Sequence, residues 1–270
     1  MKVGIYFNQN YLKANLGNVE KIENRFSAYG VGCIVINEIS DLNGIDVLFV
    51  LGGDGTILTL AAECAVRGIK IIGVNYGHIG FLAEFEPERL DAAIELILGG
   101  KYSVQKRSML KICCGKNVYY ALNDLVVQRS TNGENFANTV NLHAEIDGTT
   151  VDNFSSDGII ISTPTGSTAY SLAAGGSVLV PELNAFILTP ICAHSLHSRP
   201  VVFSDCSTIK INPVNAKTPL VMAIDGKIVG EVGADDKISV TKSERPAEFI
   251  TSEDTNFFDK LLIKLNIWSK

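Results

Sequence analysis

The chain lacks the long apolar runs, basic clusters and paired cysteine motifs that mark several common classes of protein. No uninterrupted apolar stretch reaches the roughly 18 residues that a membrane-spanning helix needs. The formal net charge is −6, which argues against a general nucleic-acid binder, and no basic run suits a membrane surface. The six cysteines form no CxxC pair and no zinc-like spacing with histidine. We therefore expect no nucleic-acid partner, no membrane partner and no metal ligands.

The cysteines and the first residues predict where the protein resides. Cys113 and Cys114 are adjacent, which is poor geometry for a structural disulfide. Reduced thiols in a cytosolic protein are the simplest account, so we expect a cytoplasmic location and assign the cysteines no chemistry. Met1–Ile5 predicts a first β-strand rather than a signal peptide. The 270 residues, 46% of them hydrophobic, suffice for one large or two medium domains.

The first hundred residues alternate between apolar strand-like runs and segments with helical spacing. The predicted strands are Lys2–Phe7, Gly32–Ile36, Ile45–Leu51 and Lys70–Val74. The predicted helices are Asn18–Tyr29, Ile57–Arg67 and Pro87–Leu98. Apolar strands separated by helices predict a parallel sheet with helices on both faces. No GxGxxG fingerprint of dinucleotide-binding folds occurs in this half.

From residue 103 onward, short β-type runs follow one another between turn signals. These runs are Met109–Cys114, Asn117–Gln128, Thr139–Ile146, Gly158–Ser162, Phe186–Leu188, Thr208–Ile211, Leu220–Ile224 and Lys237–Thr241. The dipeptides Asp147-Gly148 and Asp225-Gly226 are typical of hairpin turns. The sequence therefore predicts an antiparallel β-sandwich, interrupted by one short helix near Tyr170–Leu172.

The C-terminal tail returns to helical periodicity over Asn256–Ile267, and one side of this helix would carry Phe257, Leu261, Leu262 and Leu265. We expect this helix to pack back on the first domain. The predicted division is an N-terminal α/β domain of residues 1–102 plus 252–270 and a C-terminal domain of residues 103–251.

A glycine-rich turn directly follows the apolar run Ile45–Val50 and contains Gly52, Gly53, Asp54, Gly55 and Thr56. Glycines let the backbone approach a polyphosphate closely, and a helix beginning here would turn its N-terminal amides toward anions. In a parallel sheet, ligands bind at the carboxyl ends of strands, where this turn falls. The segment is either an ordinary strand-to-helix turn or a phosphoryl-transfer site with Asp54 as the base.

Three further clusters each have a structural interpretation beside a functional one. The stretch 73–82, which includes Phe81, is either a connecting loop or a second ligand loop. Asn123 and Asp124 interrupt an apolar run, either as paired acceptors for ribose hydroxyls or as an Asx turn or bulge. Asp157 precedes Gly158 and is either a site residue or a turn residue.

A fourth cluster, Thr163–Tyr170, reads TPTGSTAY and places small hydroxyl residues around a glycine before a short helix. Hydroxyls and amides at the start of a helix can bind phosphate or ribose, and Tyr170 can stack on a base. The alternative is an N-capping loop with a structural tyrosine.

Taken in chain order, these clusters resemble the NAD kinase family. The segments that carry the resemblance are Gly52–Thr56, Gly73–Leu82, Asn123-Asp124, Ser156–Gly158, Thr165–Tyr170, Gly175-Gly176, Pro190–Pro200 and Asp225-Gly226. The GGDGT sequence alone is shared with diacylglycerol-type lipid kinases and, more loosely, with phosphofructokinases. The TPTGSTAY run joined to the Asn-Asp pair is far more specific.

The resemblance implies a fold and an activity. The fold is an N-terminal parallel α/β domain, Rossmann-like as in phosphofructokinases and diacylglycerol kinases, and a C-terminal all-β sandwich, with the active site in the cleft between them. The reaction transfers a phosphoryl group from ATP, or from polyphosphate, to the 2′-hydroxyl of the adenosine ribose of NAD, making NADP. A divalent ion, Mg²⁺ or Mn²⁺, would be bound mainly through the phosphoryl donor. Assembly as a homodimer or homotetramer is implied as well.

The resemblance also assigns residues. Asp54 matches the general base, since an alcohol nucleophile must lose its proton as the phosphoryl group arrives. The donor and its metal ion would be lined by Gly52, Gly53, Gly55 and Thr56. The NAD would be bound by Phe81, Asn123, Asp124, Ser155, Asp157, Thr165, Thr168, Ala169, Tyr170, Ala173, Asp225 and Lys227.

Three positions depart from the family pattern. The acid after Asn123 is often Glu in this family and is Asp124 here, one methylene shorter. Many members carry Arg or Lys where Ser155 stands. Lys227 stands where Gln is common, and we hypothesise that it supplies the charge that Ser155 lacks.

Two other functions remain open from the sequence. A lipid kinase acting on diacylglycerol or a long-chain base would share the GGDGT turn, but the acidic net charge and the polar TPTGSTAY loop speak against it. A catalytically silent nucleotide sensor would share the binding loops, but it has no need of Asp54. His194 and His197 are three residues apart, but no third ligand nearby supports a metal site, so a loop or buried position is favoured. None of the four histidines is assigned a catalytic task.

Overall fold

The computed structural model describes residues 1–7, 12–77, 80–130, 139–214, 219–252 and 256–268. The chain divides into two compact units, Met1–Arg107 with Arg245–Lys270 and Ser108–Glu244. The sequence predicts the first boundary between the units after residue 102, five residues before the observed one. It predicts the second boundary after residue 251, seven residues beyond the observed one. The reason is that residues 103–107 and 247–251 form strands that join the sheet of the first unit.

The first unit is built on a six-stranded sheet. Its strands are Lys2–Phe7 (β1), Gly32–Val35 (β2), Val47–Leu51 (β3), Lys70–Val74 (β4), Ser103–Arg107 (β5) and Ala247–Thr251 (β18). Its α-helices are Leu12–Ala28 (α1), Asp54–Arg67 (α2), Leu90–Gly99 (α3) and Phe257–Trp268 (α5). The strand order is β2-β1-β3-β4-β18-β5, with parallel pairing throughout except between β18 and β5.

The central strand β3 explains why this sheet forms. All five of its residues are buried, as expected for a parallel strand covered by helices on both faces. Phe49 packs against Phe26 of α1 with ring centroids 5.8 Å apart. The strand delivers the chain at Leu51 to the glycine-rich turn, so the turn lies at the carboxyl end of a parallel strand.

The helices differ from their predicted bounds. α1 begins at Leu12 instead of Asn18, and α3 begins at Leu90 instead of Pro87. α2 begins at Asp54 instead of Ile57, so Asp54 lies within the first helical turn. α5 contacts residues of the first unit, as predicted, through Phe257 against Phe81. Leu262 of the same helix is 61% exposed, and the side chain of Leu265 lies outside the described part of the chain. Helical spacing alone did not identify which apolar residues of α5 are covered.

The second unit is an antiparallel β-sandwich, as the sequence predicts. Its strands are Leu110–Cys114 (β6), Asn117–Ala121 (β7), Asp124–Arg129 (β8), Val140–Ile146 (β9), Thr149–Ser156 (β10), Gly158–Ser162 (β11), Ala185–Ile191 (β12), Val201–Ser204 (β13), Ile209–Pro213 (β14), Leu220–Ile224 (β15), Lys227–Val232 (β16) and Ile238–Lys242 (β17). They form two six-stranded sheets, ordered β10-β9-β14-β17-β6-β7 and β13-β12-β11-β8-β15-β16. Apolar residues from both sheets form one continuous core.

The turns of this unit follow their sequence signals. Asp147-Gly148 and Asp225-Gly226 each have positive φ at both residues and join paired strands as two-residue hairpin turns. The short helix falls at Tyr170–Ala173 (α4), close to its predicted place. The sequence did not predict strands β10, β13 and β16. Of these, β10 and β16 contain no long apolar run that would indicate a strand.

Candidate active site

The glycine-rich turn of the first unit places Asp54 at the start of a helix. Gly53 is the N-cap of α2 in an extended conformation, and Asp54 is the first helical residue. The free main-chain N–H groups of such a helix start favour an anion. This end of α2 therefore combines a phosphate-binding geometry with one carboxylate.

The carboxylate of Asp54 accepts three consecutive main-chain N–H groups from the second glycine-rich loop. Phe81 donates to Oδ2 at 2.7 Å, and Leu82 and Ala83 donate to Oδ1 at 3.1 and 3.4 Å. Gly80 makes this approach possible, because a Cβ atom there would lie 1.9 Å from Oδ1 of Asp54. The two loops that the sequence singled out in the first unit are thus joined through Asp54.

In the second unit a different aspartate binds the connection between β7 and β8. This connection consists of Leu122 and Asn123 and leads into Asp124, the first residue of β8, and we call it the Asn123-Asp124 turn. Oδ2 of Asp225 accepts the N–H of Leu122 at 2.9 Å, and Oδ1 accepts those of Asn123 and Asp124 at 2.7 and 3.1 Å. The Asp225 N–H donates in return to the carbonyl of Asp124 at 3.1 Å. The turn between β7 and β8 is fixed by these contacts.

Asp124 and Asp225 form a pair of poorly solvated carboxyl groups. Asp124 is 4% exposed, and its burial, together with the charge of Asp225, raises its pKa to about 7. Burial also raises the pKa of Asp225, opposed by its three main-chain hydrogen bonds and by the charge of Lys227. Asp124 is therefore a carboxyl group whose charge changes near neutral pH.

The TPTGSTAY loop is held by its own hydroxyl groups. Thr163 donates its hydroxyl to the carbonyl of Leu122 at 2.6 Å and accepts the N–H of Gly166 at 3.1 Å. Ser167 donates to the carbonyl of Pro164 at 2.6 Å. A Cβ atom on Gly166 would lie 2.2 Å from the carbonyl oxygen of Asn123, so this loop lies directly against the Asn123-Asp124 turn.

The remaining predicted residues of this unit differ in exposure. Thr165 is buried, and Thr168 donates its hydroxyl to the Thr165 carbonyl at 3.3 Å. Tyr170 is 41% exposed, and burial and the neighbouring Cys192, Asp157 and Asp124 raise its pKa. Ala169 is half-buried, and Ala173 and Lys227 are exposed. Tyr170 is thus exposed enough for a ligand to contact it.

Asp157 has a partner that sequence reasoning did not find. Nε of Arg129 lies 3.1 Å from Oδ1 of Asp157, and Nη2 donates to Oδ2 at 3.2 Å. This two-point pairing orients the carboxylate. Ser155 instead shares a hydrogen bond of 3.1 Å with the hydroxyl of Thr139. The cation beside Asp157 therefore comes from the end of β8, outside the segments that carry the family resemblance.

Two features of the described residues concern metal ions and membranes. No group of three or more His, Cys, Asp or Glu side chains there could hold a metal ion. Within the same residues, no helix has the length and apolar character needed to cross a membrane.

Comparison with known proteins identifies the family. Residues 20–102 match the model of the ATP-NAD kinase N-terminal domain, and residues 122–252 match that of the ATP-NAD kinase C-terminal domain. The NAD kinase of Carboxydothermus hydrogenoformans is 36% identical over 251 residues, which are 90% of this chain and 88% of that protein. The chain belongs to the NAD kinase family.

Other members and solved structures agree with this assignment. The NAD kinase of Caldanaerobacter subterraneus subsp. tengcongensis is 39% identical over 225 residues, covering 82% of this chain and 78% of that protein. An NAD kinase structure from Archaeoglobus fulgidus in complex with ATP has a TM-score of 0.81 and 28% identity, covering 98% of this chain and 99% of that chain. Yeast NADH kinase complexed with NADH has a TM-score of 0.84 at 23% identity, covering 100% of this chain and 89% of that chain, and it shows the same fold.

Within this NAD kinase family member, the structure groups the predicted residues into two sets. Asp54 and Phe81 meet in the first unit, and Asn123, Asp124 and Asp225 meet in the second. The sequence did not single out Gly80, which leaves room for the carboxylate of Asp54, or Arg129, which pairs with Asp157. Gly80 lay inside a noted loop, so its glycine was a signal, whereas Arg129 stood at the end of an apolar run without any motif.

Proposed function

We propose that this protein is an NAD kinase that transfers the terminal phosphoryl group of ATP to the 2′-hydroxyl of the adenosine ribose of NAD. The observation that carries the proposal is the position of Asp54, a carboxylate in the first turn of α2, in a chain that belongs to the NAD kinase family. Phosphoryl transfer to a hydroxyl group requires a site that positions the donor phosphates and a base that accepts the hydroxyl proton.

In the proposed mechanism each unit has its own task. Gly52, Gly53, Gly55 and Thr56 bind the donor, with the amides at the start of α2 directed to its phosphates. The 2′-oxygen of NAD bonds to the γ-phosphorus while the bond from that phosphorus to the bridging oxygen breaks and ADP leaves. The hydroxyl proton passes to the carboxylate of Asp54.

The NAD would be held chiefly by the second unit. Asn123 and Asp124 are proposed to accept the ribose hydroxyls, supported by the rigid attachment of their turn to Asp225. Tyr170, exposed beside these groups, is proposed to stack on a base. The other proposed NAD contacts are Phe81, Ser155, Asp157, Thr165, Thr168, Ala169 and Ala173.

Lys227 is proposed to provide a positive charge toward the phosphates of NAD. It is exposed at the start of β16 and its charge acts on Asp225. Lys227→Gln should weaken NAD binding, which isothermal titration measures. An unchanged NAD affinity would count against this role, and Arg129 would then be the next cation to test.

We infer that Mg²⁺ or Mn²⁺ arrives on the phosphates of the donor, as the family resemblance implies, where it would neutralise their charge, and we assign it no protein ligand. The cytoplasm is the proposed location, supported by six free cysteines. Assembly as a homodimer or homotetramer is a further proposal, which light scattering after size exclusion tests.

A coupled assay tests the proposed function directly. The protein is incubated with NAD, ATP and Mg²⁺, and NADP is detected through an NADP-specific dehydrogenase. NADP formation that stops on adding EDTA supports the proposal. Product with polyphosphate but not with ATP would keep the enzyme class and change the donor. NAD binding without product from either donor would favour a nucleotide sensor, and absence of NAD binding would reopen the lipid-kinase interpretation.

A further inference from the structure

The C-terminal helix α5 contacts the segment that binds Asp54. This segment, residues 81–84, follows the second glycine-rich loop. Phe257 packs against Phe81 with ring centroids 5.8 Å apart. Nζ of Lys264 lies 4.6 Å from the centroid of the same Phe81 ring, within cation–π range. Residues about 180 positions away in sequence therefore contact one ring.

Glu84 anchors the other end of this segment. Its side chain is 5% exposed, and its Oε2 pairs with Nζ of Lys260 at 2.9 Å. Its Oε1 accepts the main-chain N–H and the hydroxyl of Ser252 at 3.2 and 3.1 Å. A carboxylate with both oxygens bound in this way has little freedom to move, so the 81–84 segment is tied to the C-terminal part of the chain.

Lys264 reaches the candidate base itself. Its Nζ lies 3.9 Å from Oδ2 of Asp54, and the side chains are 19% and 27% exposed. At this distance the two groups attract as an ion pair without a direct hydrogen bond. Oδ1 accepts two N–H groups in the described residues and Oδ2 accepts one, from Phe81. Since a carboxylate oxygen has two lone pairs, Oδ2 keeps one for an incoming hydroxyl.

We propose that Lys264 is a positioning residue for Asp54, which holds Oδ2 and the Phe81 ring in the geometry that accepts the ribose proton. This inference rests on the proposed function. The Lys264 ammonium group contacts both the Asp54 carboxylate and the Phe81 ring. Its removal should therefore let the carboxylate and the 81–84 segment move. Proton transfer requires the base to lie within hydrogen-bond reach of the hydroxyl, about 2.6–3.2 Å, so a displaced carboxylate loses rate.

Kinetics of Lys264→Met and Lys264→Arg test the proposal. Lys264→Met should lower kcat about 10-fold, less than loss of the base itself, with the KM values for NAD and ATP close to wild type. Lys264→Arg keeps the cation and should restore most of kcat. Lys21→Met removes another lysine of the first unit, paired with Asp91 at 2.7 Å on the surface, and should leave kcat unchanged.

Lys260→Met tells whether Lys264 positions Asp54 or only stabilises the packing of α5. It breaks the Glu84 contact but leaves the Lys264–Asp54 pair, so it should lower the unfolding temperature more than it lowers kcat. Parallel losses of kcat and unfolding temperature in Lys260→Met and Lys264→Met would overturn the proposal. Failure of Lys264→Arg to restore kcat would overturn it as well.

Amide hydrogen exchange tests the same inference without turnover. Exchange at Phe81, Leu82 and Ala83 should be faster in Lys264→Met than in wild type and close to wild type in Lys264→Arg. Unchanged exchange overturns the positioning role whether or not the protein makes NADP. A wild-type protein that makes no NADP overturns the proposed function alone.

Discussion

Gly80 lies so close to Asp54 that a Cβ atom on the glycine would stand 1.9 Å from Oδ1 of the aspartate. The main-chain donors that follow Gly80 then bind this carboxylate in succession. Asp225 repeats the arrangement in the second unit, where it accepts three successive N–H groups from the Asn123-Asp124 turn. In each unit an aspartate holds a neighbouring loop through consecutive main-chain donors, a concave arrangement that suits an anion.

Asp54→Asn should lower kcat for NADP formation by about 100-fold or more, because the amide cannot accept the ribose proton. The variant should still fold, since its carbonyl oxygen keeps part of the hydrogen bonding to Leu82 and Ala83. The measurements are kcat in the coupled assay and the unfolding temperature. Asp91→Asn changes an exposed aspartate in the first turn of α3 and is the matched control. Near-normal turnover in Asp54→Asn would remove Asp54 from the role of base.

Gly80→Ala should lower kcat with little change in the binding of either substrate. The added methyl group collides with the Asp54 carboxylate, and overpacking of this kind typically costs about 1–3 kcal/mol of stability. Steady-state kinetics and thermal unfolding measure the two effects. Gly32→Ala is the control, because a Cβ atom there meets nothing within 4 Å. Wild-type kcat in Gly80→Ala would show that the Asp54–loop contact is dispensable.

Gly166→Ala should weaken NAD binding. Its Cβ atom would lie 2.2 Å from the Asn123 carbonyl oxygen and 2.6 Å from the Asn123 Cα, so the turn carrying Asn123 must shift. A shift that costs about 1.4 kcal/mol of binding energy corresponds to about a tenfold higher Kd. Isothermal titration with NAD provides the measurement. Gly230→Ala, with nothing within 4 Å of its Cβ, should bind NAD as wild type does. Equal affinities in the two variants would argue against Asn123 as an NAD contact.

Asp124 should make stability fall as the pH rises from about 4 to about 7. Its pKa is raised from 3.8 to about 7 in the folded protein by burial and by Asp225. Between these values the folded state binds more protons than the unfolded state, so the free energy of unfolding decreases with rising pH. The full effect is at most about 4 kcal/mol.

Asp124→Asn removes this titration, so its free energy of unfolding should depend less on pH in that window. Denaturant unfolding at several pH values compares the variant with wild type. The slopes should differ between about pH 4 and 7 and converge above it. Parallel slopes throughout would mean that Asp124 does not titrate in this range.

Much of the candidate site followed from local sequence signals. Gly52–Thr56 after an apolar run predicted a turn at the end of a parallel strand, and β3 and α2 confirm it. Asp225-Gly226 predicted a hairpin, and both residues have positive φ. The strand run 117–128 was wrong in one respect, because Leu122 and Asn123 form a turn between β7 and β8. An apolar leucine in that turn hid the break from periodicity.

What the sequence by itself determined were the elements whose cause is local: buried apolar strands, glycine turns and the motifs of the NAD kinase family. Only the tertiary structure decided which groups meet across long separations. Lys264 reaches Asp54, and Arg129 pairs with Asp157, because the folded chain brings these elements together. The tertiary structure also places β5 and β18 in the sheet of the first unit. Strand pairing depends on partners that no local pattern specifies. The pKa of Asp124 also depends on the tertiary structure. It is raised by burial and by the charge of Asp225, a residue distant in sequence.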